Sequence, residues 1–157
     1  MKRRFIGFAI SSSEVHYAIL TLEGEAFEVE ATKTLHLQSG ERPSAYHVIF
    51  DQVAALITER KLECACIKGS ALSLAAAKMA LLEAAELRGV IQTACASACA
   101  VKLVNKANVS RNFGARKVDE YLKDDSFWKD LGLENLAKGK REAAFQVVAS
   151  FSTKGQK

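Results

Sequence analysis

The chain has 157 residues, 49% of them apolar and 25% charged, which suits one domain with a substantial core, read here as residues 1–152 followed by a frayed tail at 153–157. No apolar run reaches the ~18–20 residues of a membrane span, and the basic start Met1-Lys2-Arg3-Arg4 leads into an apolar stretch that breaks at Ser11-Ser12-Ser13, too short for a signal peptide, so a cytoplasmic protein with no membrane partner is expected. The net charge of +4 is unevenly held: residues 1–100 carry 10 basic and 11 acidic side chains, whereas residues 101–157 carry 12 and 7, so the last third is the part suited to an anionic partner.

In chain order, residues 5–12 (FIGFAISS) are apolar and partly alternating, and Val15 to Leu22 is a second β-like run after a turn built from serines and Glu14. Glu23-Gly24-Glu25 makes a tight connection to a third alternating run, Ala26 to Leu37, which completes a three-stranded meander. Pro43 then opens a helix, a position where its missing N–H costs little, and Tyr46, Ile49, Phe50, Val53, Leu56 and Ile57 recur at helical spacing up to Arg60-Lys61. Leu62 to Ile67 predicts a short buried strand. An alanine-rich helix is expected over 71–88, with Gly89 as its stop and Val90 to Ala94 as a fifth strand. Further on, the pattern predicts a short helix at 98–104, a polar loop at 105–112 and a helix at 114–123. An irregular stretch at 124–136, pinned by Phe127, Trp128, Leu131 and Leu133, precedes a last helix from about Lys140 to Phe151.

Four cysteines occur as C-x-C (Cys64, Cys66) and C-x3-C (Cys95, Cys99). Neither spacing is the C-x2-C of a zinc knuckle, and the apolar surroundings predict free thiols acting as small hydrophobes. His16, His36 and His47 are scattered, with His16 and His36 on strands that can be neighbours. No serine or cysteine carries a nucleophile motif, and the Ser11-Ser12-Ser13 turn lacks the glycines and acid of a phosphate loop.

The order βββαβαβα, with Ile6-Gly7-Phe8-Ala9, Glu86-Leu87-Arg88-Gly89-Val90-Ile91, Val101-Lys102, Gly114-Ala115-Arg116-Lys117-Val118 and Glu142-Ala143-Ala144, resembles the Holliday-junction resolvase branch of the RNase H-like superfamily. That resemblance implies an α/β fold with a mixed five-stranded sheet flanked by helices. It also implies two Mg²⁺ ions held by carboxylates from the first strand, the fourth strand and the last helix. In this chain the corresponding positions are Ala9, Lys68, Gly139 and Glu142, so one carboxylate of the four remains and no metal or other cofactor is expected. Lys68 is either an exposed strand-end lysine or a cation standing where a metal would, paired with Glu142 or holding a backbone phosphate. Acids in a shifted register, drawn from Glu14, Asp51 and Glu63, are the route by which a Mg²⁺-dependent nuclease would survive.

The candidate phosphate-binding residues are Lys68, Lys102, Lys106, Arg111, Arg116, Lys117, Lys140 and Arg141, with Lys138 beside them. Phe113 and Trp128 are either buried anchors or stacking platforms for bases. The alanines at 71, 75, 76, 77, 80, 84 and 85 favour either tight packing on the sheet or a helix–helix dimer contact, since the resembled resolvases dimerise through this region. Three functions are open to such a chain. It is a degenerate resolvase-like domain that binds structured DNA or RNA without cutting it, a protein-interaction or inhibitory module, or a nuclease with relocated acids.

Overall fold

A computed structural model describes residues 1–71 and 78–152 of the chain. The element order is β1 (Arg3–Ile10), β2 (Glu14–Glu23), β3 (Ala26–His36), α1 (Arg42–Arg60), β4 (Cys64–Lys68), α2 (Met79–Ala96) and β5 (Ala100–Val104), then α3 (Lys106–Asn112), α4 (Val118–Lys123), α5 (Asp125–Asp130) and α6 (Arg141–Phe151). The strands form one mixed sheet in the order β3-β2-β1-β4-β5. The meander β1-β2-β3 is antiparallel, whereas β4 and β5 return through helices and lie parallel to β1.

Alternation along the strands divides the core in two. Ile6, Phe8, Val15, Tyr17, Ile19, Ala65 and Ile67 face α1 and α2, while Phe5, Ala9, Ala18, Leu20, Cys64 and Cys66 face α6 and the small helices α3 to α5. Helix α6 sits hard against β1. A Cβ on Gly7 would overlap the carbonyl oxygen of Ala143 and lie 3.1 Å from Val147 Cγ2, so glycine is what lets the helix descend onto the strand.

Several expected boundaries are corrected. Gly89 does not stop a helix and 90–94 is not a strand: α2 runs through both to Ala96, because Ala84, Leu87, Ile91, Ala94 and Cys95 bury one helical stripe while Gly89 has open space around it. The fifth strand lies at Ala100–Val104, where a short helix was expected from 98 to 104. Residues 105–112 are not simply a loop. Asn105 caps α3 by accepting a hydrogen bond from the Asn108 N–H at 2.9 Å. The helix expected over 114–123 begins only at Val118, and Asp124 caps α5 by accepting from the N–H groups of Ser126 and Phe127 inside the stretch expected to be irregular. Of the alanine-rich segment, Ala75, Ala76 and Ala77 lie outside the described residues, as does the expected tail at 153–157.

Candidate nucleic-acid interface

Sheet register brings a row of side chains to one end of the sheet. Ala9 pairs with His16, His16 pairs with Thr34, and Lys68, one step beyond the Phe8–Ile67 pair, stands on the other side of Ala9. Pairing and pleat put this row on the face covered by α6, whose first turn hangs over it. Ala9 itself is 7% exposed and offers no polar atom. Above it, Lys68 Nζ lies 2.7 Å from Glu142 Oε1, and both side chains remain partly exposed.

A second cation reaches the same place. Arg88, on α2, donates through Nη1 to Ser70 Oγ at 2.5 Å and through Nη2 to the Ile10 carbonyl at 3.5 Å. Its Nε is buried and has no hydrogen-bond partner among the described residues. Burial pulls the guanidinium below its ordinary pKa, and the negative charge of Glu142 opposes that pull. Sequence reasoning passes over Arg88 as a site residue: it falls at the end of the helix expected over 71–88, and no spacing there marks a side chain that reaches the Ile10 carbonyl.

On the far side of Glu142, Lys140 Nζ lies 3.2 Å from His16 Nδ1 and also donates to Thr34 Oγ1. His16 Nε2 is 3.1 Å from Glu14 Oε2, and His36 Nδ1 is 3.7 Å from Glu14 Oε1. Burial lowers the pKa of Lys140, and Glu14 partly restores it. Lys140 is therefore engaged with the sheet.

The remaining basic candidates separate by place. Lys106, Arg116 and Lys117 join Lys68 around a cleft of about 580 Å³ between the end of β4, α3 and the loop before α4. Arg116 is held there by Asp124 at 3.1 Å and lies over the Tyr121 ring. Lys102 instead covers the Phe151 ring at 4.3 Å and borders a separate hollow of about 240 Å³, and Arg111 is exposed on α3 without lining the cleft. Arg141 is not a surface cation: it is 5% exposed, donates to the Leu122 carbonyl at 3.0 Å and to Asp125 Oδ1 at 2.8 Å, and sits over Trp128. Phe113 and Trp128 are buried anchors, the latter donating its ring N–H to the Tyr121 carbonyl. All four cysteines are free.

The two Mg²⁺ ions that the fold resemblance implies do not fit these residues. Ala9 supplies no side-chain oxygen, Gly139 has no side chain, and the Glu142 carboxylate already faces an ammonium. The acids in other registers do not converge on the spot. Glu63 pairs with Arg3 at the opposite end of β4, Asp51 pairs with His47 on α1, and Glu14 is engaged by the two histidines. Among the described residues no three His, Cys, Asp or Glu side chains gather into a metal site.

No protein-family model matches the chain, and no curated protein matches it in sequence. Two solved structures of RuvC from Thermus thermophilus are similar to it. One superimposes with a TM-score of 0.70 at 12% identity over 93% of this chain and 90% of RuvC. The other, in complex with Holliday junction substrate, gives 0.67 at 11% identity over 94% and 90%. The fold is the RNase H-like fold of RuvC. The RuvC-like meander, crossover helices and closing helix are all present in the order read from the sequence. Among the described residues no helix is long and apolar enough to cross a membrane.

Proposed function

We propose that this chain is a resolvase-like domain that binds structured nucleic acid, DNA or RNA, without cutting it. The observation that carries the reading is the Lys68–Glu142 pair at 2.7 Å over Ala9. Where a two-metal nuclease gathers negative charge to hold cations, this chain supplies the cations itself, and side-chain cations recognise phosphate without activating water. Lys106, Arg116 and Lys117 extend the positive rim beside it. The RuvC structure in complex with Holliday junction substrate supports a nucleic-acid partner of branched shape.

The test is fluorescence anisotropy with labelled single strand, duplex, four-way junction and RNA, at two salt concentrations, with Mg²⁺ and with EDTA, followed by a denaturing gel. Salt-sensitive binding without cleavage is expected, because phosphate contacts release counterions. Mg²⁺-dependent cleavage would overturn the non-cutting reading. Binding to none of the probes would favour an inhibitory or protein-interaction module.

Self-association belongs to the same proposal. Met79, Leu81 and Leu82 at the start of α2 are 67%, 48% and 58% exposed, an exposed apolar group. A homodimer would bury it, and light scattering at tens of micromolar, with Leu82→Glu as the disrupting variant, decides the matter.

A further inference from the structure

The cleft beside Lys68 is not merely a charged surface. Its volume of about 580 Å³ falls within the ~300–1,000 Å³ of small-molecule sites. Its apolar lining is the part-exposed Val118 and Leu122, with the buried Val109 and Phe145 beneath them. Gln146 also lines it, 2% exposed, with Nε2 donating to the Glu142 carbonyl at 2.9 Å. The rim carries Lys68, Lys106 and Lys117, with Asp119 the one acid among the lining residues.

A duplex backbone has no use for such a lining, since phosphates and sugars present no large apolar face. A single base does: it offers an apolar ring face for aliphatic side chains and a phosphate for the cations at the edge. We propose that this cleft receives one unpaired nucleotide, base against the part-exposed Val118 and Leu122, phosphate toward Lys68 and Lys106. The inference rests on the nucleic-acid reading above and narrows it to nucleic acid that carries an unpaired nucleotide.

The experiment compares three labelled duplexes at matched salt: one fully paired, one with a single-nucleotide bulge, and one in which the bulged nucleotide is abasic. The expected result is that the bulge binds about tenfold more tightly than its abasic counterpart, as follows when one face of a base is taken out of water against apolar side chains. Ala115→Leu and Ser110→Leu fill the cleft from exposed positions on its lining, so they leave the core untouched. Each is expected to erase the preference while leaving affinity for the paired duplex unchanged. Equal binding of bulge and abasic bulge by the unaltered protein would overturn the cleft proposal and leave the nucleic-acid reading standing. A preference that survives both leucine variants would place the base elsewhere and overturn it equally. Absence of salt-sensitive binding to every probe would remove both.

Discussion

Lys68 and Gly7 stand at opposite extremes of what one residue contributes. The Lys68–Glu142 pair is partly exposed, and exposed pairs of this kind contribute about 0–1 kcal/mol. Lys68→Ala should therefore leave the urea midpoint almost unchanged while weakening binding to nucleic acid and lowering the slope of log K against log salt by about 1, the mark of one lost phosphate contact. Unaltered affinity and slope for every probe would return Lys68 to the status of an exposed strand-end lysine. Gly7 makes no polar contact through its side chain, yet its lack of one sets the height of α6 above the sheet. Gly7→Ala forces the Ala143 carbonyl away from β1, and overpacking of this kind costs about 1–3 kcal/mol. The loss should show in urea unfolding, with binding to nucleic acid disturbed as well because Glu142 rides on the same first turn. In the sequence Gly7 was visible only as a letter of the Ile6-Gly7-Phe8-Ala9 resemblance; the close approach that requires it involves residues over a hundred positions away.

Among the elements, the meander and α1 were readable because each carries its own period: alternation for β1 to β3, and Pro43 followed by apolar residues at helical spacing for α1. The α2–β5 junction was not. Val90-Ile91 is β-branched and follows a glycine, which locally favours a strand, but burial of Leu87, Ile91, Ala94 and Cys95 against the sheet overrides that preference. The small helices α3 to α5 depend on caps rather than periodicity, and this gives a pH prediction. Asp124 accepts hydrogen bonds from the Phe127 and Ser126 N–H groups and from Arg116, which hold its carboxyl below the ordinary value; Arg141, aided by Lys138, does the same for Asp125. For a depressed carboxylate the stabilisation is fully present above the unfolded value of about 3.9 and is lost as the pH falls through the lower folded value. Asp124→Asn should thus be less stable than the parent protein at about pH 6, and the gap in urea midpoint should close toward about pH 2.5. A gap that stays constant across that range would mean that the charge of Asp124 is not what holds α5.

At the scale of the whole molecule, the sequence located positive charge in the last third of the chain but could not say which of those cations share a surface. Folding sorts them: Lys106, Arg116 and Lys117 meet Lys68 from β4 around one cleft, Lys102 lies over Phe151, Lys140 is spent on His16 and Thr34, and Arg141 is taken into the core. Convergence on a concave surface, not the formal charge of +4, is what should attract a polyanion, because a cleft with low-dielectric walls focuses the field that a dispersed charge spreads into solvent. Two substitutions that change the net charge identically separate these causes. Lys106→Glu reverses a charge on the rim. Lys2→Glu reverses one beside Glu28 near the start of β1, seven residues from Ala9, or roughly 23 Å along an extended strand. If net charge governs binding, the two variants lose affinity alike. If the cleft does, Lys106→Glu should lose tenfold or more, on the order of 1.4 kcal/mol, with a shallower salt slope, while Lys2→Glu stays within about twofold of the parent at matched salt. The same anisotropy titrations give both quantities, and equal losses in the two variants would place the anion-binding surface somewhere other than the cleft.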